Sequence, residues 1–145
     1  MVKVRKVKTE QEFMKCLFIR FMVFCQELQM DLRQEMDFRD PEATHFLVFI
    51  DEEPVGTCRY LEQWDYYLIG RLAVLPSFRK NGYGSQLLTA AVKSILRKDK
   101  NAKIELHAPV ERMDFYKKFG FLPFGKTFLE NDVQHIGMRY HHPKK

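Results

Sequence analysis

The hexapeptide Arg79-Lys80-Asn81-Gly82-Tyr83-Gly84 lies between two segments whose patterns predict different secondary structures. Before it, Tyr67 to Val74 is an apolar run typical of a strand, and Pro76 ends that run. After it, apolar residues recur at the spacing of one helix face: Leu87, Leu88, Ala91, Val92, Ile95 and Leu96. The sequence therefore predicts a strand, a glycine loop and an amphipathic helix in succession.

The rest of the chain predicts one α+β domain covering residues 1–145. A short helix is expected near residues 111–119, ended by Gly120. Short connections between neighbouring strand candidates favour antiparallel pairing, so we expect a largely antiparallel mixed sheet flanked by helices. The further strand candidates are Val2 to Val4, Phe46 to Ile50, Val55 to Gln63, Lys103 to Ala108, Phe124 to Phe128 and Gln134 to Tyr140.

An N-terminal helix is predicted from a start signal and an apolar stripe. Thr9 and Glu12 have the T-x-x-E spacing of a capping box. The apolar residues after them recur at helical spacing, so we expect this helix to be mostly buried. They are Phe13, Met14, Leu17, Phe18, Phe21, Met22, Phe24 and Leu28.

The glycine loop has the features of a phosphate site. Glycine has no Cβ and accepts positive φ, so a ligand can approach the backbone of Gly82 and Gly84 closely. The free N–H groups at the start of the following helix suit phosphate oxygens, and Arg79 and Lys80 add positive charge. The loop lacks the Lys of a Walker A motif, the third glycine of a dinucleotide fingerprint and the strand context of an RNA-binding RNP1 segment. From these residues alone, phosphate binding and a plain structural turn both remain open.

Four segments in this order resemble the GNAT superfamily of acyl-CoA-dependent N-acetyltransferases: Ile69 to Val74, the hexapeptide, Glu105 to Ala108 and Asp114 to Phe121. The R-x-x-G-x-G loop is similar to the family's pyrophosphate motif, and F-Y-x-x-F-G-F is similar to its last catalytic helix. Other stretches resemble the small bacterial ElaA-like branch, among them Ala43-Thr44-His45-Phe46 and the tail from Phe128-Leu129-Glu130 to Met138. The resemblance spans nearly the whole chain and implies a GNAT-like sheet with a central splay.

The resemblance implies acetyl-CoA as co-substrate. In the family two strands splay apart and the pantetheine arm enters the gap like an added strand. Here Leu72, Ala73 and Val74 would offer backbone groups to pantetheine. The basic surface of residues 93–103 is a candidate for the adenosine phosphate, or equally a solvated face. The residues implied for pyrophosphate are Arg79, Lys80, Asn81, Gly82, Tyr83, Gly84 and Ser85.

Acetyl transfer to an amine needs a proton acceptor and a proton donor. The amine must lose a proton before it attacks, and the departing thiolate leaves more easily when it is protonated. Tyr116 matches the family's tyrosine acid, the alternative being an aromatic core residue. Many relatives carry a glutamate where this chain has Gly70, which leaves the base open. His107 and His135 can each relay a proton, and each can equally be a core or rim residue.

Composition limits the other classes of protein. The longest apolar run, Phe21 to Cys25, is far short of the ~18 residues of a spanning helix, and residues 1–6 lack the apolar stretch of a signal peptide. We therefore expect a cytoplasmic protein with no membrane segment. The cysteines and histidines lack a zinc spacing, so no metal is predicted. A formal net charge of +5 is small for a nucleic-acid-binding protein and gives that function little support.

The predicted function is transfer of an acetyl group from acetyl-CoA to a primary amine of a small molecule or peptide, with a homodimer as an option. Residues 27–53 carry nine acidic side chains against two arginines where the family builds its acceptor wall, which favours a cationic acceptor. The main alternative is a catalytically weak CoA-binding sensor or interaction module, because position 70 has no glutamate. A basic nucleic-acid binder is the third possibility.

Overall fold

The computed structural model describes residues 1–143, and within them seven strands form one mixed sheet. The strands are β1 (Val2–Lys6), β2 (Thr44–Ile50), β3 (Glu53–Glu62), β4 (Tyr67–Val74), β5 (Ile104–Pro109), β6 (Phe121–Glu130) and β7 (Val133–Tyr140). Their order is β1-β2-β3-β4-β5-β7-β6. The pairing of β4 with β5 is parallel and every other pairing is antiparallel. The predicted α+β class and largely antiparallel sheet are confirmed.

Helices cover both faces of the sheet. They are α1 (Glu10–Arg20), which continues as a π-helical segment (Phe21–Glu27), α2 (Leu32–Glu35), α3 (Tyr83–Lys98) and α4 (Met113–Lys117). Along β2, Phe46 and Val48 pack in the cluster under α3, whereas Leu47 and Phe49 pack in the cluster under α1. Alternate residues of a strand point to opposite faces, so α1 and α3 lie on opposite sides of the sheet. No helix in residues 1–143 is both long and apolar enough to cross a membrane.

The prediction for α3 is confirmed. Leu87, Leu88, Ala91 and Ile95 are fully buried against the sheet, and Arg97 and Lys98 occupy the last turn. Cations at this end of a helix interact favourably with its macrodipole. The spacing of apolar residues in α3 therefore predicted correctly both that a helix forms here and which of its faces packs against the sheet.

The predicted burial of the N-terminal helix is wrong in part. Its start is as expected, since Thr9 Oγ1 accepts the backbone N–H of Glu12 at 3.1 Å. The buried face, however, contains Cys16, Ile19 and Val23 together with Arg20, whereas Phe18 is 59% exposed. The apolar stripe is displaced because buried carboxylates lie under this face of the helix and the Arg20 guanidinium binds them.

The sheet splays where β4 and β5 meet. Their pairing runs only from Tyr67 opposite Ile104 to Ile69 opposite Leu106, and then stops. At the same level the register of β4 with β3 shifts, and Arg71 adopts a left-handed φ of 53°. An extra residue in one strand bends that strand away from its neighbour. The bulge at Arg71 therefore opens a gap between β4 and β5, and the predicted splay is confirmed.

Candidate active site

The gap between β4 and β5 has two walls of free strand edge. One wall is the end of β4, where Leu72 follows Arg71 within the register shift and Ala73 and Val74 pair with β3 on their other side. The opposite wall is the end of β5 from His107 to Pro109. The predicted pantetheine residues therefore border an open edge that has room for an added strand.

The glycine loop lies at one mouth of this gap. Gly82 caps α3 with a left-handed φ of 81°, which favours glycine. A Cβ at Gly84 would lie 4.0 Å from both Phe115 and Val74, so the loop is adjacent to α4 and to the end of β4. Tyr83, Gly84 and Ser85 are the first residues of α3, and N–H groups at such positions have no partner inside a helix. The structure thus brings together the backbone that the sequence predicted for pyrophosphate.

The side chains of the loop are arranged differently from the prediction. Arg79 donates through Nη1 and Nη2 to both carboxylate oxygens of Glu27, at 2.6 and 2.5 Å, and through Nε to the carbonyl of Val74 at 2.9 Å. The hydrogen bond from Arg79 lowers the pKa of Glu27, so the carboxylate stays charged. Asn81 donates to the carbonyls of Phe78 and Arg79 and so closes the turn. The charge of Arg79 is thus matched by Glu27, and Lys80 is a second exposed cation of the loop.

Tyr116 lies on α4, on the face of the sheet that α3 covers. Its ring packs edge-on against Phe115 with centroids 5.1 Å apart, beside the apolar core. Burial raises the pKa of Tyr116, because the phenolate is less stable away from water. The hydroxyl therefore keeps its proton at neutral pH and is chemically suited to donate it.

The two candidate histidines lie together on the opposite face of the sheet, at the other wall of the gap. His107 on β5 contacts Glu130 on β6, with Nδ1 and Oε1 3.0 Å apart. His135 on β7 has its Nε2 3.7 Å from the other oxygen of Glu130. Phe128 packs against both imidazoles, with centroids 5.2 Å from His107 and 6.1 Å from His135. We call these four residues the histidine–glutamate cluster.

Glu130 is the functional candidate that the sequence did not identify. Its only signal was its place in Phe128-Leu129-Glu130, a part of the tail resemblance to which no role was attached. The hydrogen bond from His107 lowers the pKa of Glu130 against the opposing effect of burial. Glu130 is 23 residues from His107 along the chain, so only the pairing of β6, β7 and β5 brings them together.

A buried network of charges supports the β4 wall. Arg20 donates to Glu35 at 2.9 and 3.0 Å and to Asp40 at 2.8 Å, and Arg59 donates to Asp40 at 2.6 Å. Arg71, the bulge residue, donates to Glu35 at 2.9 Å. Asp37 completes the set through Arg59 and Arg71. We call these six residues the arginine–carboxylate network.

The arginine–carboxylate network affects the prediction that the acidic residues 27–53 favour a cationic acceptor. Glu35, Asp37 and Asp40 were expected to favour a cationic acceptor, but arginines from α1, β3 and β4 bind all three. Their charges are matched inside the protein, so they give no support to a cationic acceptor. What they do instead is hold the wall of the gap and the left-handed bulge residue in place.

The basic surface of residues 93–103 lies away from the glycine loop. Lys98 pairs with Glu62 and Lys103 with Asp65. Lys93 and Arg97 line a groove of about 700 Å³ between β1 and α3, roughly 15 to 21 Å along the helix from its first residue. Within residues 1–143, no group of three or more His, Cys, Asp or Glu side chains is placed to hold a metal ion.

Residues 8–121 match the model of the Acetyltransferase (GNAT) family. The chain belongs to the GNAT family of acetyltransferases. This GNAT domain is 30% identical to the uncharacterized N-acetyltransferase YjcF of Bacillus subtilis over 132 residues, which are 90% of this chain and 94% of YjcF. The expected likeness to ElaA is confirmed by the crystal structure of Escherichia coli ElaA. That structure superposes with a TM-score of 0.87 at 25% identity, covering 97% of this chain and 100% of ElaA.

A third relative was crystallised with a ligand. It is a GNAT family acetyltransferase from Elizabethkingia anophelis with acetyl-CoA bound, which superposes with a TM-score of 0.68 at 15% identity. The alignment covers 97% of the GNAT domain described here and 98% of the Elizabethkingia chain. At this identity the likeness establishes a shared fold.

Proposed function

We propose that this GNAT domain transfers an acetyl group from acetyl-CoA to a primary amine of a small molecule or peptide. The observation that carries the proposal is the gap itself. A free β4 edge leads from the bulge at Arg71 to the glycine loop at the start of α3, and Tyr116 flanks the same face of the sheet. The acetyl-CoA bound to the Elizabethkingia relative supports this choice of donor.

In this proposal the backbone of the site binds the donor. Pantetheine pairs with the edge formed by Leu72, Ala73 and Val74, as a strand would. The pyrophosphate takes the free N–H groups at the start of α3, where the helix dipole favours an anion. Because Arg79 bonds the Val74 carbonyl, part of this edge becomes available only when Arg79 moves from Val74 toward the phosphates.

The chemistry then follows from the two faces of the sheet. At the pKa of a lysine-like amine, about one molecule in 10³ is neutral at pH 7, so a nearby proton acceptor raises the reactive fraction. The amine nitrogen bonds to the acetyl carbon, backbone N–H groups near Ala73 stabilise the oxyanion, and the carbon–sulfur bond breaks. Tyr116 gives its proton to the sulfur, which leaves as the thiol. His107 and His135 are the candidates for the proton acceptor.

Two experiments test this function. A mass-spectrometric screen of amine and peptide pools with acetyl-CoA should detect products that have gained an acetyl group. With an acceptor found in this way, Tyr116→Phe should lower kcat roughly 10²- to 10⁴-fold with little change in KM for acetyl-CoA. Tyr66→Phe, in the turn between β3 and β4, is the control and should keep wild-type turnover. A folded Tyr116→Phe variant with wild-type kcat would contradict the assignment of the acid.

The second candidate is a CoA-binding module without turnover, and Gly70 is the observation that favours it. No side chain fills the place of the family's glutamate, and a Cβ at Gly70 would meet no atom within 4 Å. Acetyl-CoA binding measured by calorimetry, with no thiol release across the whole amine screen, would establish this second function and exclude the first.

A further inference from the structure

The place of the missing glutamate lies across the gap from His107, which contacts a carboxylate from another strand. Gly70 leaves open space beside the bulge, in the same wall of the gap as Arg71. The pairing of β4 with β5 ends at Ile69 opposite Leu106, so Gly70 and His107 are the next residues of the two strands. His107 in turn contacts Glu130 at 3.0 Å, so a carboxylate from residue 130 is linked through His107 to the place of the missing glutamate.

The contact between Glu130 and His107 fixes the tautomer of the imidazole. An ionised carboxylate has only acceptor atoms, so the 3.0 Å bond requires that His107 Nδ1 carries the hydrogen and donates it. In the neutral imidazole the other nitrogen, Nε2, then holds a free electron pair. The His107 side chain is 41% exposed and its hydrogen bond to Glu130 uses Nδ1, which leaves Nε2 for a substrate or for water.

The rest of the histidine–glutamate cluster restrains this pair. Glu130 and Val133 flank a two-residue turn in which Asn131 and Asp132 have φ values of 52° and 62°, so the carboxylate is held at the end of a tight hairpin. Phe128 packs edge-on against His107 and limits rotation of its ring. His135 donates from Nδ1 to the carbonyl of Val133 at 2.8 Å, which anchors the second imidazole to the same hairpin.

We propose that His107 accepts the proton of the attacking amine through Nε2, and that Glu130 is the positioning residue that holds His107 in the productive tautomer. This inference rests on the proposed acetyl transfer. The ammonium form of the bound amine passes one proton to His107 Nε2, and the positive charge of the imidazolium is stabilised by Glu130. The neutral amine then bonds to the acetyl carbon, and its second proton leaves to water. The carbon–sulfur bond breaks, the sulfur takes the proton of Tyr116, and His107 and Tyr116 return to their starting states by proton exchange with water.

The resting protein provides a test that needs no acceptor. Nitrogen-15 NMR of the imidazole should show His107 as the Nδ1–H tautomer in the wild type. In Glu130→Ala the two tautomers should redistribute, because nothing holds the hydrogen on Nδ1. Glu105→Ala is the matched control, since Glu105 is a carboxylate of the same strand as His107 that pairs with Arg139. An unchanged tautomer in Glu130→Ala would overturn the proposed role of Glu130.

Turnover of two probe amines tests the chemistry. Propylamine is neutral in only about one molecule in 10³ at pH 7.5, whereas hydroxylamine is already neutral. With propylamine and acetyl-CoA, thiol release should fall about 10²-fold in His107→Gln and about tenfold or more in Glu130→Ala. The losses should be much smaller with hydroxylamine, which has no proton to give up before it attacks. Glu130→Gln should recover part of the activity, because its amide oxygen still accepts from Nδ1–H.

The failure of this inference differs from the failure of the proposed function. Equal losses for both amines, or equal activity in Glu130→Ala and Glu105→Ala, would overturn the relay while leaving acetyl transfer intact. If the wild type releases no thiol with either amine, acetyl transfer to simple amines fails, and the NMR measurement alone then decides whether Glu130 controls the His107 tautomer. Calorimetry with CoA should give the same affinity in Glu130→Ala, Glu130→Gln and the wild type, because Glu130 lies on neither strand edge of the gap and is not part of the glycine loop.

Discussion

The two faces of the sheet are stabilised by different interactions. Under α3 and α4 the buried cluster in residues 1–143 is almost wholly apolar, and it extends from β2 to β7. Under α1 and α2 the apolar cluster is smaller, and next to it Arg20, Glu35 and Arg59 are each less than 5% exposed. The comparison teaches that one face is stabilised by apolar burial, whereas the other depends on paired charges that also fix the geometry of one wall of the gap.

The difference follows from what each face has to hold. An apolar core needs only matching volumes, and many arrangements of similar residues satisfy it. The left-handed conformation of Arg71 is costly for a residue with a Cβ and persists only where its surroundings determine it. Glu35 meets that need by binding Arg71 through its carboxylate and through its carbonyl, at 2.9 and 3.0 Å. These directional hydrogen bonds hold Arg71 in its left-handed conformation, which non-directional apolar contacts cannot do.

The largest effect is expected from breaking the arginine–carboxylate network at its centre. Arg20→Leu removes the guanidinium that binds Glu35 and Asp40, and it leaves two buried carboxylates short of a partner. Loss of one side of a buried pair costs about 3 to 5 kcal/mol of unfolding free energy. Urea denaturation at pH 7 measures it. Arg33→Ala breaks an exposed pair with Asp31 and should leave the urea midpoint unchanged, so equal midpoints for the two variants would contradict the importance of burial.

This network also marks the limit of sequence-based prediction. The helix α3 was predictable because apolar residues alone decide which of its faces is buried. For α1, the predicted apolar stripe was wrong in part, because Phe18 and Met22 are exposed and Arg20 is buried, whereas a periodicity argument places a charged residue in water. The partners of Arg20 are 15 and 20 residues away in a segment without regular pattern, and no local signal joins them.

The candidate site divides in the same way. The glycine loop and Tyr116 are local motifs. The structure places the loop beside the end of β4, and Tyr116 beside the apolar core on the face that α3 covers. The ion pair of Arg79 with Glu27 joins residues that are 52 positions apart in the sequence, and the contact of His107 with Glu130 joins residues that are 23 positions apart. Such pairs depend on how helices, loops and strands that are distant in sequence pack together, which the sequence patterns do not specify.

The apolar face is tested by Leu88→Ala on α3. Leu88 is fully buried, so its truncation leaves a cavity and should cost about 2 to 5 kcal/mol. The effect of Arg20→Leu should depend on pH, because it involves buried carboxylates. The cost of Leu88→Ala should instead be the same at pH 7 and at pH 5, because the truncation removes only apolar atoms and changes no charge. Leu122→Ala, at a position 49% exposed on β6, is the control and should cost much less. A strong pH dependence of the Leu88→Ala effect would contradict the contrast between the faces.

Acid should weaken the charged face selectively. Burial raises the pKa of Asp37, but the hydrogen bonds from Arg59 and from the backbone of Arg39 outweigh it and hold the pKa well below its usual range. A carboxyl with a lowered pKa in the folded state contributes stability that is complete above its unfolded pKa of about 4 and is lost as the pH falls below it. The unfolding free energy of the wild type should therefore decrease below about pH 4.

Asp37→Asn isolates this contribution. The variant should be less stable than the wild type at pH 7, and its unfolding free energy should fall less steeply below about pH 4. The difference in slope for one group is at most about 1.4 kcal/mol per pH unit. Thermal or urea unfolding at pH 7, 5, 4 and 3 measures both slopes. Parallel curves for the two proteins would show that Asp37 titrates normally in the folded state.

The smallest effect is expected at the residue that the apolar stripe of α1 placed in the core. Phe18 is 59% exposed, so its ring is largely in water in the folded protein, and Phe18→Gln removes little buried surface while keeping a good helix former. The unfolding free energy should change by no more than about 0.5 kcal/mol. Ile19→Ala, one residue further and 1% exposed, should cost about 2 to 5 kcal/mol by urea denaturation. A large loss for Phe18→Gln that grows with protein concentration would mean that a second copy of the chain covers this helix, and sedimentation equilibrium of the wild type would then have to show a dimer.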